Sequence, residues 1–363
     1  MHVTVFGTYD TSMHPRVATI ADGLAARGFD VAECNAPLGL DTAARVEMLA
    51  KPWQAGGLAV RLARRWLRLA RMARRTGQPD AVLVGYLGHF DVHLARRLYR
   101  RGRVRLVLDH LVSASGTATD RRLDGGPRQR LLKLIDTAAL RAADVVVVDT
   151  EEHREALPAR YRPKAVVVAV GAPAPWHAAG RQATDPGSRP LRVVFYGLFT
   201  PLQGTPVIGE ALGRIAGAPV EVTMIGRGQD AAAARQAAAA NHGVRWIDWV
   251  PAAELPVVVA GHDVCLGIFG TGDKALRVVP NKVYQGAAAG CAIVTSDTAP
   301  QRRVLGEAAI LVPAGDADAL ARALLRLAGD RDLLLKLRHA ARQVAAESFT
   351  PEQVVQALVE RLG

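Results

Sequence analysis

Apolar positions along the chain fall into two alternating patterns. Short runs, often β-branched, stand at 2–7 "HVTVFG", 30–35 "DVAECN", 81–86 "AVLVGY", 104–109 "VRLVLD", 144–149 "DVVVVD" and 165–170 "AVVVAV". Each is nearly continuous in hydrophobicity, as a strand covered on both faces must be. Longer segments with helical spacing lie between them, such as the one from about Pro15 to Ala26. The alternation predicts parallel strands joined by crossover helices. A stretch rich in Pro, Gly, Ala and charge, "GAPAPWHAAGRQATDPGSRP" at 171–190, interrupts the rhythm. It restarts with "LRVVFYG", "VEVTMIG", "VRWIDWV", "DVCLGIF", "CAIVTSD" and "AAILVP", and a helical tail runs from about Asp316 to Gly363. The expected fold is α/β, with two doubly wound Rossmann-like domains facing each other across a cleft. The N-terminal domain is placed at 1–175, a linker at 176–190, the second domain at 191–345 and a C-terminal helix at 346–363. In such sheets ligands sit beyond the carboxyl ends of the strands, so the loops after each strand are where chemistry is expected.

The length of 363 residues agrees with two domains. The 46 Lys and Arg against 34 Asp and Glu give a net charge of +12. That excess suits phosphate-bearing ligands, anionic lipid or nucleic acid. Nucleic acid is the weaker reading, because no basic run is interleaved with aromatics, which make up 5% of residues. No run approaches the roughly 20 apolar residues of a membrane span, and the start, "MHVTVFGTYD", lacks a signal-peptide layout. A cytoplasmic protein is expected. Cys34, Cys265 and Cys291 form no Cys-x-x-Cys pair and indicate neither zinc nor disulfides. Residues 58–75, "LAVRLARRWLRLARMARR", set an apolar stripe of Leu58, Leu62, Trp66, Leu69 and Ala73 beside seven arginines with no acid. This is either a surface helix with a solvated face or a peripheral contact with an anionic membrane.

Several post-strand loops can carry chemistry. In "GTYDTSMHPR", Gly7 allows close backbone approach, and Pro15 suits the first turn of a helix. His14 and Arg16 then lie near that helix's positive end, toward an anion or simply in a capped turn with an exposed Arg. Asp109 and His110 end another strand, and His110 can bond a sugar hydroxyl or move a proton; His89, in "GYLGHFD", is its rival. In the second half, Gly197 and Gly204 bracket a loop, and "MIGRGQD" places Arg227 between two glycines, where backbone amides suit phosphate oxygens. Lys274, Arg277 and Lys282 cluster ahead of Gln285, and Asn281 and Gln285 share one helix face. "GDADAL" at 315–320 contains an Asp-x-Asp, but Asp316 is positioned as a helix N-cap, and no catalytic metal is expected.

The segments "VVFYGLFTPLQG", "MIGRGQ", "WVPAAELPVVVAGHDVCLGIF", "PNKVYQGAAAGCAIVTSD" and "LVPAGDADALARALLRLAGDRDLLLKL", in this order, resemble bacterial members of glycosyltransferase family 4, the retaining nucleotide-sugar transferases of GT-B architecture. The resemblance covers most of the chain and is strongest after residue 190. It implies a nucleotide diphosphate sugar as substrate, a uridine one foremost, with backbone at Trp249, Val250 and Pro251 near the base and no cofactor. The sugar would pass to a hydroxyl of a small-molecule or lipid-linked acceptor, with the protein cytoplasmic or peripheral at the inner membrane face. The family's Glu-x7-Glu pattern falls on Arg277 and Gln285, so both carboxylates are replaced. Its cations around the first glycine loop fall on Leu198 and Gln203. The implied site takes Gly7, Gly197, Arg227, Trp249, Val250, Asn281, Lys282 and Gln285 for the donor. His14, Arg16 and His89 are placed on the acceptor side, and His110, Asp109, Lys274 and Arg277 at the chemistry. Lys274, Arg277 or Lys282, with Arg227, would replace the missing clamp. A catalytically silent scaffold and a nucleotide-sugar epimerase of the same architecture are the alternatives.

Overall fold

The structure is a computed structural model that describes residues 1–10, 15–39, 52–99, 104–111, 113–114, 116, 126–182 and 187–363. The chain forms two compact units, Met1–Ala169 with Val354–Gly363, and Val170–Gln353. In the first, β1 (His2–Gly7), β2 (Asp30–Asn35), β3 (Ala81–Val84), β4 (Arg105–Asp109), β5 (Val145–Val148) and β6 (Ala165–Val167) form one sheet in the order β2-β1-β3-β4-β5-β6. In the second, β7 (Leu191–Tyr196), β8 (Val220–Ile225), β9 (Val244–Ile247), β10 (Val264–Leu266), β11 (Ala292–Ser296) and β12 (Ala309–Val312) form another, ordered β12-β11-β10-β7-β8-β9. Every strand pair is parallel. In each sheet the order reverses beside the first strand, and a doubly wound sheet opens its ligand crevice at that reversal.

The apolar runs became strands for the anticipated reason. β3 and β5 are buried at every position, with helices on both sides. Val82, Val84, Leu106 and Leu108 enter one core, while Ala81, Leu83 and Val107 enter the core on the opposite face.

Two boundaries differ from the sequence-based ones. The stretch expected as a linker at 176–190 begins inside a helix, Ala174–Arg181, that belongs to the second unit. A Cβ on its Gly180 would lie 2.0 Å from Ala288 O, so the helix packs directly on its neighbour. The tail at 346–363 is divided. Phe349 stays with the second unit, its ring edge on Tyr284 at 4.8 Å between centroids. Val354, Val355, Leu358 and Leu362 instead join the first unit's core with Val3, Val5 and Leu24. Asp316 caps the Ala317–Gly329 helix, its Oδ1 accepting from Ala319 N at 2.8 Å, as its place in the sequence indicated.

Candidate active site

In the second unit the loops after β7 and β8 are locked together through their backbones. Gly197 N donates to Ile225 O at 3.0 Å, Phe199 N to Arg227 O at 3.0 Å, and Asp230 N to Phe199 O at 3.1 Å. Gly226 makes the approach possible: its φ is +143°, and a Cβ there would stand 1.9 Å from Gly197 O. Any side chain would separate the loops.

The Asn281–Ala288 helix runs beneath these loops, and every residue from Lys282 to Ala288 is buried. Its smoothness has a packing cause, since a Cβ at Gly286 would stand 2.6 Å from Cys265 Cβ and 3.1 Å from Ile293 Cδ1. The small residues let the helix lie on β10 and β11.

Lys282 is the exception in that apolar setting. It is only 4% exposed, and its amine donates to Gln203 Oε1 while lying 3.7 Å from the centroid of the Phe195 ring. The same amine would be 3.2 Å from a Cβ on Gly197. Burial pushes the lysine pKa down to about 7, opposed by Cys265. A poorly solvated amine at a glycine loop gains much from an anionic partner.

Gln285, three residues on, is also buried. Tyr196 donates its hydroxyl to Gln285 Oε1 at 2.9 Å, and Trp176 stacks on the Tyr196 ring at 5.6 Å and 18°. The amide is thus fixed in orientation, with its oxygen already engaged.

The other cations of this region are not gathered so tightly. Arg277 is exposed, with Nη2 3.6 Å from Asp273 Oδ2, and Lys274 is half-buried. Arg227 and Asn281 are exposed, Val250 is half-buried, and Trp249 is 64% exposed past the end of β9. Lys282 differs from these cations in being buried, with its amine at Gly197.

In the first unit Arg16 departs from both of its readings, toward an anion and toward solvent. It is 2% exposed, and its Nε donates to Asp109 Oδ1 at 2.9 Å and its Nη2 to Val168 O at 2.9 Å. The Arg16–Ala26 helix turns this side chain under the ends of β4 and β6. Asp109 is tied to the same pair through Oδ1, while its Oδ2 and Arg16 Nη1 are buried with no hydrogen-bond partner among the described residues. Burial raises the Asp109 carboxyl pKa against the opposing pull of Arg16. Gly7 likewise serves an internal fit: its φ is +148°, and a Cβ would lie 3.2 Å from Asp91 Oδ2. Asp91 accepts from Thr8 N, Thr8 Oγ1 and Trp66 Nε1 at 2.7, 2.8 and 2.8 Å. Its sequence signal was slight, an acid at the start of a helical segment. His14 lies outside the described residues.

His89 and His110, read as rivals, are neighbours. Their ring centroids are 5.4 Å apart, and His89 Nε2 lies 3.1 Å from Asp136 Oδ1. Burial first, and then His89, push the His110 pKa down to about 4, with Asp136 opposing. His110 is therefore a neutral imidazole at pH 7, able to hold a hydroxyl without carrying charge. Asp136, Asp149 and His153, which sequence reading missed, complete this group; His153 Nδ1 bonds Asp149 Oδ1. Their separation along the chain hid them.

Residues 190–330 match the family model described as glycosyl transferases group 1. The match covers both glycine loops and the Lys282 helix. Solved structures extend the likeness to the whole chain. Sucrose-phosphate synthase from Thermosynechococcus elongatus superposes with a TM-score of 0.69 at 14% identity, covering 99% of this chain and 97% of that one. Anabaena HepE, solved in complex with UDP-glucose, gives 0.69 at 12% identity, covering 100% and 99%. The E. coli structure described as trehalose-6-phosphate bound with UDP-2-fluoro glucose gives 0.69 at 14%, covering 99% and 98%. The fold is GT-B. No curated protein matches the chain.

Proposed function

We propose that the protein is a glycosyltransferase that takes a sugar from a uridine diphosphate donor held at the β7 and β8 loops of the second unit. The observation that carries this reading is the place of Lys282. The family's usual cations are replaced by Leu198 and Gln203, yet a buried ammonium bonds Gln203 and lies against Gly197. A cation supplied from the Asn281–Ala288 helix thus stands at the loop that lacks its own.

The proposed chemistry is retaining and metal-independent. The diphosphate departs on the face that the acceptor hydroxyl attacks, and a phosphate oxygen takes the hydroxyl proton. Lys282 offsets charge developing on the leaving group, the form of stabilisation that most lowers such barriers. Gln285, oriented by Tyr196, meets the ribose as a neutral amide, and Trp249 is placed for the base. His110 holds sugar hydroxyls. Asp109 and Arg16 act through the framework, fixing the strand end that carries His110.

A second element of the proposal concerns location. On the Pro52–Ala73 helix Leu69 and Ala73 are buried. Arg61, Arg64, Arg68 and Arg71 are exposed along it, and among the described residues none of them makes an ion pair. Val60 and Leu67 stand exposed among them. An arginine face with exposed aliphatics suits an anionic membrane and supports a lipid-linked acceptor over a soluble one.

The test is thermal unfolding with uridine, guanosine and thymidine diphosphates and their sugars. A ligand at about 100 times its dissociation constant adds about 2.7 kcal/mol of stability. The uridine series should raise the midpoint; no shift with any nucleotide at millimolar concentration would make the chain a silent scaffold.

A further inference from the structure

The first unit contains a cavity of about 340 Å³ beside His110. Its size falls at the lower end of small-molecule pockets, roughly 300–1,000 Å³. Polar atoms converge on it from separate elements. His110 and Ser113 follow β4, His153 comes from the Glu151–Ala156 helix, and Lys133, Asp136 and Thr137 come from the Gly126–Ala142 helix. Lys133, Asp136, Thr137 and Leu140 repeat at helical spacing, so one face of that helix is presented to the cavity. Val148 and Leu157 supply an apolar side.

The electrostatic inventory is uneven. Asp136 accepts from Ala114 N at 2.8 Å and lies beside His89, and Asp149 is bonded by His153. Both acids are therefore engaged. His110 is 7% exposed, and its Nδ1 is buried with no hydrogen-bond partner among the described residues. Lys133 is exposed at the rim and makes no ion pair among the described residues. A buried unpaired imidazole nitrogen is costly unless a ligand meets it, and a rim cation asks for an anion.

We propose that this cavity binds the acceptor, and that the acceptor is a hydroxylated ring carrying one anionic substituent, a carboxylate or a phosphate. The ring hydroxyls meet His110 and Thr137, one ring face lies on Leu157 and Val148, and the substituent reaches Lys133. The word acceptor rests on the transferase reading; the binding site does not.

The experiment is ligand binding to the full-length chain by calorimetry, with and without UDP, using glucose, glucuronate and glucose 6-phosphate. One charge-assisted hydrogen bond is worth about 1.5–3 kcal/mol, so at least one anionic sugar should bind about tenfold or more tighter than glucose. Which anion binds separates carboxylate from phosphate. Lys133→Ala should erase the preference, and Ala156→Trp, which obstructs the cavity from an exposed lining position, should abolish binding; circular dichroism checks that both variants fold. Glucose binding as tightly as both anions, no binding of any of the three, or binding that survives Ala156→Trp would overturn the proposal. Binding without transfer from any nucleotide sugar would leave the cavity standing and remove the transferase reading. Transfer to neutral acceptors with no binding of anionic sugars would do the reverse.

Discussion

The amine of Lys282 lies 3.7 Å from the centroid of the Phe195 ring, buried beneath the first glycine loop of the second unit. The aromatic face returns part of the solvation that burial removes, but not all, and the lysine pKa falls to about 7. The unfolded chain, with an ordinary lysine near 10.4, binds more protons than the folded one between those values. The contribution of Lys282 to the stability of the unligated protein should therefore rise as pH climbs from about 7 toward 10, and the full cost of burying the charge should be present below 7. Lys282→Met should remove that cost. Denaturant melts at pH 6 and pH 10 should show the variant more stable than wild type, by a larger margin at pH 6; equal margins would mean that the amine is solvated.

Gly226 should tolerate no side chain. Gly226→Ala places a Cβ 1.9 Å from Gly197 O and puts alanine at a φ of +143°. Overpacking and backbone strain each cost about 1–3 kcal/mol. Urea unfolding should reveal a loss of that order, together with loss of stabilisation by uridine nucleotides. Gly329→Ala, where an added Cβ meets nothing within 4 Å, serves as the control and should change little.

The Arg16–Asp109 pair should behave as a buried ion pair and not as a pair of substrate ligands. Arg16→Met leaves Asp109 uncompensated and should cost about 3–5 kcal/mol. Arg16→Met with Asp109→Leu should recover much of the loss, because the pair has then been replaced by apolar groups. A single variant as stable as wild type would show that the carboxylate finds solvent.

The arginine face of the Pro52–Ala73 helix should select anionic lipid. Full-length protein should cosediment with phosphatidylglycerol vesicles at low salt and stay in the supernatant with phosphatidylcholine. Arg64→Glu with Arg68→Glu should release it, because polybasic contacts contribute about 1 kcal/mol for each residue near such a surface. Retention in the supernatant with both lipids would remove the membrane element.

The sheets were legible because a strand covered on both faces has to be apolar nearly throughout, and "DVVVVD" admits few other readings. The path of the tail was not. Val354, Leu358 and Leu362 mark a helix by their spacing, but spacing says nothing of which core receives it, and the structure returns it to the first. At the site, Lys274, Arg277 and Lys282 were equal in sequence. Burial separates them, because Lys282 stands second in a helix that is buried from that residue to Ala288, whereas Arg277 is exposed and Lys274 half-buried. Arg16 and Asp109 meet across 93 positions, and each read as a ligand because its partner was out of view. His110 and His89 were found from their places after strands, while Asp136 and His153 sit on helices that gave no such signal.

The most direct test of the account is calorimetric titration of UDP-glucose into wild type and Lys282→Met at pH 6 and pH 8.5. A diphosphate beside Lys282 favours the ammonium form, so its pKa should rise above the free value of about 7 on binding. Wild type should bind most tightly at pH 6, weaken as pH rises, and take up protons at pH 8.5, whereas Lys282→Met should bind about tenfold or more weakly at both values. Equal affinity of the two proteins, with no pH dependence in wild type, would contradict the claim that Lys282 supplies the missing clamp.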